Sequence, residues 1–257
     1  KKNMKKIILF MAVALLATLA NAQEQKEYHK NGQLMIVGFM ENDEKTGEWK
    51  YYHENGQLSA IEKYENGELT GERKLYHENG KLKLIEKYEN GENTGEKKHY
   101  WENGELRWVL NYVNGECYGE SKYYHKNAQL SAIGRFEGWQ NKTGEWKYYH
   151  ENGQLSAIEK YENGKQTGEC KRYHENGQLY LIGKYENGKP TGVWKYYHEN
   201  GQLSEVGFYE NGKEEGEWKE HHENGELKWI GDYENGEKTG KWLLYDENGK
   251  NTHYKIH

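Results

Sequence analysis

The chain has 257 residues, a net charge of −6, 34% hydrophobic residues and a mean hydropathy of −1.26. That polarity is poor material for a large globular core, and an acidic surface with no segregated basic patch argues against nucleic acid and membrane lipid as partners. Aromatic residues reach 14% and recur in strict register, which argues against disorder.

The first element in chain order is a leader. Lys1, Lys2, Lys5 and Lys6 precede an apolar run over 7–19, and Ala20-Asn21-Ala22 supplies a small-x-small site. This is the pattern of a secretory signal peptide, with an apolar run short of the roughly 20 residues of a membrane span. Residues 1–22 are therefore expected to be a signal peptide cleaved near Ala22, with an uncleaved anchor as the alternative. The mature protein is then exported to the periplasm, the cell surface or the medium. Without the four leader lysines it carries 32 basic against 42 acidic residues, a net charge of about −10.

Residues 23–46 hold half a repeat, with Tyr28, Asn31-Gly32, Leu34 and Phe39, and are expected to cap the array that fills 47–257. From Gly47 a segment of 24 residues recurs, its opening glycine falling at 47, 71, 95, 119, 144, 168, 192, 216 and 240. The step becomes 25 once, at Gly138-Trp139-Gln140. A fixed period of this size marks an array in which each repeat buries its apolar groups against its neighbours.

Each repeat carries two Asn-Gly signals, such as Asn152-Gly153 and Asn163-Gly164, between segments rich in aromatic and β-branched residues. Asn-Gly in that setting is the strongest short-range hairpin signal, and a glycine about every dozen residues excludes helix. The expected fold is all-β: an elongated, twisted antiparallel β-meander, about nine tandem hairpin repeats in a single layer. Two registers are open. With type I′ turns, Trp146, Tyr148, His150, Leu155, Ala157 and Tyr161 share one face, against Lys147, Tyr149, Ser156, Ile158 and Lys160. With a type I turn and a bulged glycine at each Glu-Asn-Gly, Tyr149, Leu155 and Tyr161 lie together, opposite Trp146, Tyr148 and Ile158. The second is favoured because its three slots vary least. The last repeat departs from the pattern at Leu243, Leu244, Asp246 and Asn251, as expected of a closing cap.

At this point the recurring GEWKYYHENG and KYENGK elements resemble the bacterial MORN-repeat variant, a relative of the membrane occupation and recognition nexus repeat, from about Tyr28 to Tyr254. The resemblance implies β-hairpin arrays used for protein binding and scaffolding. Some related bacterial proteins are labelled antitoxins, and eukaryotic relatives are linked to phosphoinositide membranes.

Chemistry is sparse. Histidine recurs at one slot (His53, His77, His125, His150, His174, His198 and His222). Equivalent slots lie two strands apart, about 9.6 Å, too far for one metal ion. Glutamates such as Glu62, Glu159 and Glu162 repeat with the scaffold, whereas a catalytic pair needs two differentiated environments. Cys117 and Cys170 are expected about four strand spacings apart, ~19 Å, which argues against a disulfide between them. No catalytic residue, metal or cofactor is expected. The candidate binding residues are Trp49, Trp146, Trp194, Trp218 and Trp242, one slot of an aromatic row, with packing inside the sheet as the plainer role. The expected function is a non-enzymatic scaffold for protein partners or a cell-envelope component. The alternatives are a carbohydrate-binding module and an antitoxin-like immunity protein.

Overall fold

The structure, a computed structural model, describes residues 22–138 and 141–257. All of the expected leader except Ala22 lies outside the described residues, as do Trp139 and Gln140 of the irregular step.

The chain divides into two compact units, one ending at Glu116 and the other beginning at Cys117. The first contains β1 (Gln23–Tyr28), β2 (Leu34–Glu41), β3 (Glu44–Tyr52), β4 (Leu58–Glu65), β5 (Glu68–Leu69), β6 (Gly71–Tyr76), β7 (Leu82–Glu89), β8 (Glu92–Tyr100) and β9 (Leu106–Val113). The second contains β10 (Glu116–Tyr124), β11 (Leu130–Glu137), β12 (Lys142–Tyr149), β13 (Leu155–Glu162), β14 (Lys165–Tyr173), β15 (Leu179–Glu186), β16 (Lys189–Tyr197), β17 (Leu203–Glu210), β18 (Lys213–His221), β19 (Leu227–Glu234), β20 (Glu237–Tyr245) and β21 (Asn251–Ile256). Within each unit successive strands pair antiparallel, save that the short β5 and β6 both pair with β4, so the expected all-β meander of hairpin repeats is what forms. No helix occurs among the described residues.

The register corrects the favoured expectation, because the two Glu-Asn-Gly triplets of a repeat fold differently. In His150-Glu151-Asn152-Gly153 the Gly153 amide donates to the His150 carbonyl and the His150 amide to Gln154, with Gly153 at φ 84° and Asn152 outside the left-handed region. That is a type I turn closed by a bulged glycine. In Glu162-Asn163-Gly164-Lys165 both central residues have positive φ (49° and 77°) and Glu162 pairs with Lys165, a type I′ turn. Repeats that carry both triplets use one of each. Trp146 therefore stands opposite Glu159 and Tyr148 opposite Ala157, while Lys147 faces Ile158 and Tyr149 pairs with Leu155 across a bulge. Tyr161 joins Trp146 and Tyr148 instead of opposing them, their rings in contact. Ile158 lies on the lysine face.

Each unit keeps its core on the tryptophan face. Trp49, Ala60, Leu84 and Glu86 are buried there in the first, and Trp146, Cys170, Leu181, Trp194, Trp218 and Trp242 in the second. No helix covers this face among the described residues, so the rings shield one another. Phe136 and Tyr161 meet Trp146 edge-on at 5.1 and 6.4 Å, Tyr148 stacks at 6.1 Å, and the Lys142 ammonium sits 4.3 Å from the ring centre. Edge-to-face and cation–π contacts of this kind contribute about 0.5–1.5 kcal/mol each.

Candidate functional site

The five tryptophans picked out as candidate contacts are only 1–5% exposed. Each lies flat on a glycine of the preceding returning strand. A Cβ built on Gly38, Gly134, Gly183, Gly207 or Gly231 would come 2.0–2.3 Å from the ring of Trp49, Trp146, Trp194, Trp218 or Trp242, respectively. The indoles serve as packing, and a partner has no ring face to stack on.

Where the glycine is replaced, so is the tryptophan. Glu62 stands before Arg73, Glu86 before Lys97, Leu110 before Ser121 and Glu159 before Cys170, always eleven residues apart. The charged versions bury ion pairs in the space an indole fills elsewhere. Glu86, 1% exposed, accepts from Arg73 at 2.8 Å and Lys97 at 2.6 Å, and Arg73 also reaches Glu62 at 2.7 Å. Burial alone would raise the Glu86 pKa, but the Lys97 and Arg73 hydrogen bonds outweigh it and hold the carboxyl below its ordinary value. Cys117 and Cys170 are buried and free, their thiols pushed up by burial, Cys170 to about 11. Burial and the raised pKa both disfavour the reactive thiolate at neutral pH.

The histidine slot has a mechanical role that spacing did not reveal. Nε2 of His29, His53, His77, His125, His150, His174, His198 and His222 lies 2.8–3.1 Å from the backbone carbonyl 23 or 24 residues on. A carbonyl only accepts, so Nε2 carries the proton and has no lone pair for a metal. Two residues later an asparagine does the same. Asn152 Nδ2 donates to the Glu175 carbonyl at 2.8 Å while its Oδ1 accepts the Gln154 amide at 2.9 Å. Every His-x-Asn-Gly turn so built is stapled to the next by two side chains. Among the described residues no group of three or more His, Cys, Asp or Glu could hold a metal ion.

In each unit the opposite face carries a charge ladder. Seven lysines, Lys50, Lys74, Lys98, Lys122, Lys147, Lys171 and Lys219, pair with the glutamate two residues before at 2.5–3.3 Å. These pairs are half-exposed and individually worth little, about 0–1 kcal/mol. Their regularity gives the surface one repeated motif.

A family of known repeats shares this pattern. The sequence matches the MORN repeat variant over residues 24–42, 45–68, 69–90, 93–114, 142–165, 166–189, 190–211 and 214–236, most of its length, and the chain belongs to that family. No curated protein matches it. Among solved structures it is similar to the TcdB2-TccC3 crystal structure, at 12% identity over 88% of this chain and 15% of that chain, with a TM-score of 0.22. It is also similar to the Tc holotoxin pore of Photorhabdus luminescens, at 10% identity over 91% and 13%, with a TM-score of 0.23. The chain thus spans less than a sixth of those chains, and likenesses this slight say nothing of function.

Proposed function

We propose that this protein is an exported, non-enzymatic scaffold that holds protein partners along its repeated charged face. The observation that carries the reading is the ladder itself. Seven equivalent Lys–Glu pairs recur at the period of the repeat, while Trp49, Trp146, Trp194, Trp218 and Trp242 are consumed by packing. Weak contacts repeated at fixed spacing sum to useful avidity without a deep pocket. Buried indoles also weigh against the carbohydrate reading, which needs exposed ring faces. Export rests on the leader pattern alone, and an antitoxin role on family resemblance alone.

The test is affinity capture with the full chain, expressed with its leader, followed by chemical crosslinking and mass spectrometry of the cell envelope. The expected result is one or a few proteins crosslinked through ladder lysines such as Lys147 and Lys171. Retention of glycans or small metabolites without any protein would end the scaffold reading. Trp194→Ala, Trp218→Ala and Trp242→Ala are expected to lower stability by about 3–5 kcal/mol each. A loss of binding at unchanged stability would return these rings to the contact surface.

A further inference from the structure

The charge ladder breaks at two rungs: in β20, where Lys241 and Leu243 replace the glutamate and the lysine, and in β16. In β16 the glutamate slot holds Val193, and directly across the strand pair Phe208 stands where Lys63, Lys87, Lys160 and Lys184 stand in sister repeats. Val193 is 55% and Phe208 42% exposed. Phe39, at the same slot of β2, is half-buried and faces Glu24, so among the described residues only this rung has both partners apolar. The substitution also frees a cation. Lys195 is the counterpart of the seven paired lysines, yet with Val193 two residues before it, it makes no ion pair among the described residues and is exposed. Lys184, cross-strand from Glu169, is likewise exposed and without an ion pair among the described residues, because Glu169 is taken by Lys171 at 2.7 Å. A shallow depression beside the pair is lined by Glu169, Ile182, Gly183, Lys184, Val193 and Lys195.

From this we infer that the Val193–Phe208 rung is the specificity point of the charged face, and that it takes a protein segment carrying one large apolar side chain flanked by carboxylates. The apolar side chain covers Val193 and Phe208, and the carboxylates pair with Lys195 and Lys184. Neighbouring charges leave that preference intact. Glu169 and Glu217 are held by their own lysines, and Glu215, opposite Phe208, accepts the Asn235 amide at 2.9 Å. Exposed apolar pairs of this kind serve as contact anchors, and complementary charge around them selects the partner. The inference rests on the scaffold reading and refines it by naming where a partner is recognised.

The experiment uses the full chain and a fluorescein-labelled peptide with one phenylalanine between paired aspartates, against a control with lysines in place of the aspartates. Fluorescence anisotropy is expected to give saturable, salt-sensitive binding of the acidic peptide alone. The double variant Val193→Glu/Phe208→Lys rebuilds the rung of the sister repeats and is expected to fold as well as the parent while binding at least tenfold more weakly. Lys195→Glu, which leaves both apolar residues in place, is expected to weaken binding about as much. Equal binding by the double variant, or equal binding of the lysine control, overturns the inference. So does sedimentation showing self-association that the double variant abolishes, which would make a second copy the occupant. Failure here leaves the rest of the ladder available to partners, whereas capture of no envelope protein fails the scaffold reading itself.

Discussion

At Ala128 the chain holds a side chain where nine sister turns hold glycine. Its φ is 66°, against 75–92° for Gly32, Gly56, Gly80, Gly104, Gly153, Gly177, Gly201, Gly225 and Gly249. In that left-handed region Cβ crowds the following carbonyl, at a cost of about 1–2 kcal/mol. Ala128→Gly is therefore expected to stabilise by about 1 kcal/mol, part of the relief being offset by the freer unfolded chain. A urea midpoint that rises at constant m would establish it. A second misfit is Glu205, in a slot filled by Ala60, Leu84, Ala132, Ala157 and Leu181 elsewhere. Burial, then the nearby Glu220 and Glu214 charges, push its pKa up. A carboxyl with a raised native pKa binds more protons folded than unfolded, so its contribution turns unfavourable as pH rises through that window. Glu205→Gln is expected to be more stable than the parent at pH 8 by on the order of 1 kcal/mol, with the gap closing towards pH 4. Glu86 has the opposite sign. Its lowered native pKa stabilises the fold at neutral pH and is lost as pH falls below the ordinary carboxylate value. Glu86→Gln leaves Lys97 without its carboxylate and Arg73 with Glu62 alone, and should cost about 3 kcal/mol at pH 7, less at pH 3. Thermal melts of the two variants across pH should move in opposite directions.

Between strands, the unit of design is the Gly–Trp pair. Gly183 has ordinary backbone angles, so the indole of Trp194, not backbone conformation, requires a glycine there. Gly183→Ala should cost more than about 2 kcal/mol, as overpacking does. Gly183→Glu with Trp194→Arg copies the Glu62–Arg73 rung, and a double-mutant cycle should return at least about 1 kcal/mol of favourable coupling. Additive losses, measured by denaturant titration, would mean the two slots are independent. The strand pattern, the turns and the class of fold were legible in the sequence because period and Asn-Gly chemistry act locally. Register was not. Two identical Glu-Asn-Gly triplets adopt different turns, told apart by the flanking His150 and its carbonyl–amide exchange with Gly153 and Gln154. Packing was already the plainer role of Trp146 in the sequence, and what the sequence did not show is which rings, Phe136 and Tyr148 among them, shield it. The eleven-residue link between glycine and tryptophan lay in the sequence throughout, and becomes meaningful once β15 and β16 are known to pair.

Across the molecule the repeats are not interchangeable, and that can be measured inside the second unit. Each repeat contacts its neighbours, so removal of one 24-residue period should leave an array that still folds, with an m-value reduced in proportion to the surface lost. Deleting residues 192–215 joins Thr191 to Gly216 and brings Gly183 to the rung of Trp218, preserving a glycine beneath an indole. Deleting residues 168–191 also removes one period and also leaves a Thr-Gly junction, but it sets Glu159 beneath Trp194. There a carboxylate loses its Arg172 partner, 3.0 Å away in the intact chain, and occupies the space the ring needs. The two deletions should therefore share an m-value and differ in midpoint, the second being the less stable by at least about 2 kcal/mol. Glu159→Gly in the second deletion should close most of that gap. Equal stability of the two deletions, or no rescue by the glycine, would show that neighbour matching is not set by this pair of slots.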